Sequence, residues 1–221
     1  EARLTVRATP ESAPRPIPRA AWKFADDASI ALPAGFEPGR IYELVYRAQN
    51  PPIAGLGPAA IRDFISYLRH GGASVTSALG DQPRYLKRAI GFGTSQSGRF
   101  LRTFLYDGFN ADEKGRIVFD GVWPHVAGAG RGSFNIRFAQ PSRDGHPMMN
   151  LFYPTDLFPF TDLPESDPDT GVKAGLLDRT LNTPGAPKIF YTNGSYEYWG
   201  RAASLIHTTA DGKHDAPLPS T

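Results

Sequence analysis

The residues GTSQSGR, Gly93 to Arg99, put a hydroxyl between an apolar run, KRAIGF, and a helix-like run, SGRFLRTFLYDG. A serine on a sharp strand-to-helix turn has its Oγ thrust outward. Small residues two positions to either side then let the strand and the helix approach each other. Gly93 stands two before Ser95, and Ser97 two after it, followed by Gly98. Centring the turn on Ser97 instead brings Arg99 to the second small position, where bulk clashes, so the spacing selects Ser95 as the nucleophile. The backbone N–H of Gln96 then faces a developing oxyanion at the start of a helix, where the helix dipole assists. One such donor is worth about 3 kcal/mol in the transition state. The competing structural reading is a turn in which Thr94 or Ser95 merely caps the helix. No G-x-G-x-x-G pattern or Walker lysine accompanies the turn to make it a nucleotide site.

Three strands have to carry such a site. KRAIGFGT precedes the turn, RIVFDGVWPHVAG (Arg116 to Gly128) follows its helix, and PKIFYTN (Pro187 to Asn193) leads into a predicted helix YWGRAASLIH. RIYELVYRA, Arg40 to Ala48, reads as a further strand. GPAAIRDFISYLRHGG reads as a helix, with Pro58 in its first turn, an apolar stripe of Ile61, Phe64, Ile65 and Leu68, and Gly71-Gly72 as its stop. ARLTVRA at the start is strand-like. The prolines at 10, 14, 16 and 18 forbid a helix from Thr9 to Trp22 and favour an extended surface crossing. Strands alternating with helices predict an α/β fold, a mainly parallel twisted sheet with helices on both faces. Reactive groups in such a sheet gather at the carboxyl ends of its strands, beyond Phe92, Val122 and Thr192.

Bulk properties exclude several classes. The chain has 221 residues and a formal net charge of +2, with no run of Lys or Arg to track phosphates, so nucleic acid is not an expected partner. It has no cysteine, which removes disulfides, thiolate catalysis and Cys-based zinc sites. That absence is compatible with an exported or periplasmic protein. No window is long and apolar enough to span a membrane. With no initiator Met and no signal-peptide pattern, the chain reads as a single domain over 1–221, incomplete at both ends.

GTSQSGR is similar to the G-x-S-Q-G turn of lipases and esterases. Together with GLGPAAIRDFISYLRH, GFGTSQSGRFLRTFLYDGFN, FDGVWPHVAGAGRG and NGSYEYWGRAASLIHT, it resembles the α/β-hydrolase superfamily, and within it a bacterial family of large α/β-hydrolase-domain proteins, from about Leu4 to Pro219. The resemblance implies the order serine, acid, histidine, with the acid after the second strand beyond the nucleophile. Glu197 in NGSYEYWG stands there; its structural alternative is an acid that simply opens the next helix. The base is implied one strand further on, and Thr221 comes before any such strand. Within the chain, His125 in VWPHVAG leaves the strand beside Ser95 and is the candidate base, against the alternative of a histidine packed on Trp123 and bonded to backbone. His207, His214 and His70 read as distant or exposed, with His70 suited to capping a helix. Lacking a base, this 221-residue form is expected to be nearly inactive.

A stretch with little periodicity, 130–187, reads as a lid or substrate-binding insertion. Phe152, Tyr153, Phe158 and Phe160 would line an apolar substrate pocket, with Met148 and Met149 as adaptable filler, or else pack the insertion onto the sheet. Arg131 and Arg137 are candidates for meeting an anionic group. ESDPDTG lacks the closing Glu of a calcium loop and reads as a polar turn, so neither metal nor cofactor is expected. The resulting expectation is a serine carboxylic-ester hydrolase acting on a small-molecule ester. The alternatives are a serine peptidase or amidase of the same fold, and a non-catalytic fragment serving as a binding or structural module.

Overall fold

The computed structural model describes residues 2–71, 86–132, 156–181, 183 and 185–218, which group into two compact units. In the first, within Glu1–Pro52, strand β1 (Arg3–Arg7) is the middle of a three-stranded antiparallel sheet with β2 (Arg15–Ile17) and β5 (Ile41–Val45). Leu4 and Val6 alternate inward along β1, the period-2 pattern of a strand buried on one face. The proline-rich stretch is extended as expected, and part of it pairs. Pro16 is tolerated because β2 is an edge strand, with β1 as its one partner in that sheet. A short hairpin of β3 (Lys23–Phe24) and β4 (Ile30–Ala31) follows the buried Trp22, over whose ring Arg19 lies 4.2 Å from the centroid.

The second unit opens with α1 (Gly57–His70), Pro58 in its first turn. Its buried residues are Pro58 and Ser66, while Phe64 of the expected apolar stripe is 59% exposed. Ile65 of the stripe packs against the core, and polar anchors add to it. Ser66 Oγ donates to Asp112, and Arg69 Nη1 donates to the carbonyls of Ile117 and Val118 at 2.9 and 2.7 Å. Next come β6 (Ile90–Thr94), α2 (Gln96–Tyr106) and β7 (Gly121–His125), and near the end β12 (Lys188–Ile189) and α3 (Ser195–Gly200). These three strands form a parallel sheet in the order β6-β7-β12, with Thr94 opposite His125.

Gly91, Gly93, Val122 and Pro124 face α2 on one side of that sheet, where Leu101, Phe104, Leu105, Val118 and Val122 form the core. Among the described residues no helix covers the other side, where Ile90 is 70% and Phe92 58% exposed. The expectation of helices on both faces and a mainly parallel sheet is therefore met only in part. The strand over Arg40–Ala48 exists as β5, but it joins β1 antiparallel. β8 (Arg131–Gly132) and β9 (Asp156–Leu157) are also antiparallel, as are β10 (Glu165–Ser166) and β11 (Lys173–Ala174). Alternation identifies a strand and its buried face but not its partner. Within 130–187, Leu176 and Leu177 are fully part of the core, so the described part of this stretch packs the unit as well as extending it.

Candidate active site

β6 runs straight into Ser95, whose backbone sits at φ 55°, ψ −115°, before α2 begins at Gln96. Side chains are rare at such a positive φ because Cβ crowds the backbone, and such residues persist where their surroundings fix them. Two bonds do so here: Ser95 N–H donates to the His125 carbonyl at 2.8 Å, and Arg99 N–H donates to the Ser95 carbonyl at 3.0 Å. The glycines permit the turn. A Cβ on Gly93 would collide with the Ser97 carbonyl, and one on Gly98 would come within 2.7 Å of Ala127 Cβ. The second close approach thus falls on Gly98, three residues after the serine, which is how Ser97 is accommodated at the position before it.

Ser95 is exposed, and its side chain makes no capping bond to α2. The capping alternative is not what this turn does. Gln96 N–H is one of the first amides of α2, which have no carbonyl partner within their helix.

Thr94, His125 and Thr192 stand side by side at the carboxyl ends of β6, β7 and the extension of β12. The His125 ring stacks on Phe92 (centroids 6.1 Å apart, 24°) and meets the edge of Trp123 at 6.2 Å. Its Nδ1 lies 2.8 Å from Thr192 Oγ1, which also accepts from Trp123 Nε1 at 2.7 Å. The expected packing against Trp123 is present, with a threonine hydroxyl in place of a backbone partner. Glu197 lies in the first turn of α3, three residues after its N-cap Gly194, and its Oε2 accepts the Gly194 N–H at 2.9 Å. Since glycine has no side chain to return a bond, this is half of a capping box.

A family model described as an alpha/beta hydrolase domain matches residues 16–195, from the edge strand of the first unit to the first residue of α3. The chain belongs to the alpha/beta hydrolase domain family. Neither the comparison with curated proteins nor that with solved structures gives a match.

Within this alpha/beta hydrolase domain, several predicted residues are engaged with other partners than Ser95. His207 follows not one long helix but a break: α3 ends at Gly200, Ala202 turns at φ 56°, and a 3-10 segment spans Ala203–Ile206. Its Nε2 lies 3.0 Å from Tyr198 Oη and its ring stacks on Tyr198. His214 is exposed. His70 closes α1, but burial and then Arg116 and Arg69 lower its pKa, which opposes the charge a dipole cap needs.

Phe158 and Phe160 touch edge to face at 5.8 Å, and their carbonyls accept from Arg131 and Arg102. Arg131, stacked 3.8 Å over Tyr106, is engaged in packing. Phe152, Tyr153, Met148, Met149 and Arg137 lie outside the described residues. In ESDPDTG, Asp167 holds the turn of the β10–β11 hairpin through Thr170 Oγ1 at 2.6 Å.

Two groups were missed from sequence. Thr192 was legible as the end of a strand but offered nothing in its type. Fully buried Arg102 donates to Phe160 O at 2.7 Å with its guanidinium 5.0 Å from the Tyr191 ring, and Tyr191 donates to Asp162 Oδ1 at 2.6 Å. Burial raises the pKa of Asp162 and of Tyr191. An arginine on the apolar face of α2 has no sequence signature of its partner 58 residues away.

Proposed function

We propose that this alpha/beta hydrolase domain is a serine carboxylic-ester hydrolase working through an acyl-enzyme on Ser95. One observation carries the reading: an exposed serine hydroxyl held on positive-φ backbone between a parallel strand and a helix, and not used to cap that helix. Strain of this kind, costing about 1–3 kcal/mol, is stored at reactive sites. Ser95 Oγ attacks the ester carbonyl, its proton passes to a base, and Gln96 N–H receives the charge on the carbonyl oxygen. The carbon–oxygen bond to the alcohol then breaks, the leaving alkoxide takes the proton, and water hydrolyses the acyl-serine. Glu197, in the first turn of the helix that follows the third parallel strand, is the carboxylate proposed to orient the base once its bond to Gly194 is given up.

A specific observation favours a second reading, a non-catalytic binding module: among the described residues, no imidazole is hydrogen-bonded to Ser95 Oγ. Treatment with a fluorophosphonate, followed by mass spectrometry of the peptide containing Ser95, separates the two. Stoichiometric phosphonylation of Ser95 supports the hydrolase, and an unlabelled Ser95 in folded protein overturns it. A panel of matched ester and amide substrates then distinguishes esterase from peptidase.

A further inference from the structure

The partners of His125 fix which of its nitrogens carries the proton. An indole N–H only donates, so Thr192 Oγ1 accepts from Trp123 Nε1 at 2.7 Å. The hydroxyl has one proton of its own. Among the described residues, His125 Nδ1, 2.8 Å away, is the acceptor in reach. Donation from Thr192 to Nδ1 satisfies all three groups. The reverse polarity leaves the hydroxyl proton with no protein acceptor among the described residues. Neutral His125 then carries its proton on Nε2. Stacking on Phe92 and the edge of Trp123 resist a ring flip that would exchange the two nitrogens.

A general base of the serine-hydrolase type works the other way round. It donates Nδ1–H to a carboxylate and keeps the Nε2 lone pair for the serine. Here Nδ1 is covered by a hydroxyl, and the Glu197 carboxylate is bonded to Gly194. The His125 backbone is meanwhile fixed beside the nucleophile, because its carbonyl takes the Ser95 N–H. We infer that Trp123 and Thr192 hold His125 as its Nε2–H tautomer, so that it serves as a hydrogen-bond donor to an oxygen of the ester and not as the general base. Thr192 and Trp123 are positioning residues in this scheme; His125 touches the substrate. The inference rests on the hydrolase reading for its substrate, while the tautomer stands on geometry alone.

Two measurements test it. A long-range ¹H–¹⁵N correlation of the imidazoles, at a pH where the ring is neutral, is expected to show a protonated-type Nε2 and an imine-type Nδ1 for His125. Thr192→Val should shift the ring towards the other tautomer, and Thr192→Ser should restore it. A dominant Nδ1–H form in the unmodified chain, or a spectrum unmoved by Thr192→Val, overturns the inference. Acylation of Ser95 by an activated aryl ester gives the second arm. His125→Gln keeps a side-chain N–H and should stay within about tenfold of the unmodified chain, whereas His125→Phe should fall about 10²–10³-fold, the cost of one oxyanion donor. Equal rates for the two variants, or His125→Gln falling as far as Ser95→Ala, overturn the donor role. A protonated Nε2 with an unreactive Ser95 defeats the hydrolase reading and the donor role together. A protonated Nδ1 with a reactive Ser95 defeats this inference alone.

Discussion

Two serines in the second unit have opposite fates. Ser66, inside α1, is buried; its hydroxyl donates to Asp112 Oδ2 and accepts from Arg116 Nη2 at 3.2 Å. Asp112 Oδ2 also accepts from Arg116 Nε at 2.8 Å, and its Oδ1 takes the backbone N–H groups of Lys114 and Arg116. The Ser66 hydroxyl thus fastens α1 to the loop between α2 and β7, and the Asp112 carboxylate ties that loop together. Ser95 is exposed, sits at φ 55°, and has a hydroxyl with no hydrogen bond among the described residues. One serine is relaxed and occupied; the other is strained and idle. A buried hydroxyl must be partnered because desolvation is costly, whereas an exposed one on unfavourable backbone is kept by something other than stability.

The contrast can be broken in descending order of effect. Ser95→Ala should abolish fluorophosphonate labelling and bring any ester turnover down to the uncatalysed background. Its unfolding free energy should stay within about 0.5 kcal/mol of the unmodified chain, as for a surface change. Equal turnover would remove Ser95 from the chemistry. Asp112→Ala should do the reverse, costing about 3 kcal/mol by chemical denaturation, because it strands Ser66 and the Arg116 side chain, while Ser95 in the folded fraction still labels. A small loss would mean the cluster is ornamental.

Gly93→Ala tests the turn itself. A methyl driven against the Ser97 carbonyl should cost about 2 kcal/mol and slow labelling together, since the same backbone supports both. Asp112 also predicts a pH response. Burial works to raise its pKa, but the bonds from Ser66 and Arg116 hold it well below the ordinary carboxylate range of about 4. A carboxylate lowered by folding stabilises fully above its unfolded pKa and loses that contribution as pH falls towards the folded value. Thermal melts should therefore drop more steeply below about pH 4 in the unmodified chain than in Asp112→Asn. Matching curves would refute it. Ser95→Gly gives the smallest effect, a gain of about 0.5–1 kcal/mol: the left-handed strain is relieved, partly offset by the greater freedom of glycine in the unfolded chain.

The two serines also separate what was legible. Ser95 could be found because its signal is local: an apolar strand, small residues at fixed offsets, and a helix, all within about 20 positions. The same locality made α1 and α2 readable close to their observed limits, whereas β6 starts only at Ile90 and β7 occupies only Gly121–His125 of the stretch expected from Arg116 to Gly128. Ser66 gave no such signal, since its partner is 46 residues away, and it lay off the apolar stripe predicted to be buried. The His125 environment is similar: Trp123 was expected beside it, but Thr192 came from a strand 67 residues later.

By itself the sequence determined the strand-turn-helix around Ser95 and membership of the alpha/beta hydrolase domain family, because steric rules act between near neighbours. Only the tertiary structure decided which strands pair, that α1 is fastened by polar anchors as well as by its apolar stripe, and that a threonine hydroxyl, not a carboxylate, meets His125. Those outcomes depend on which surfaces meet across long loops, and a hydrogen bond has no preference about where in the chain its two ends began.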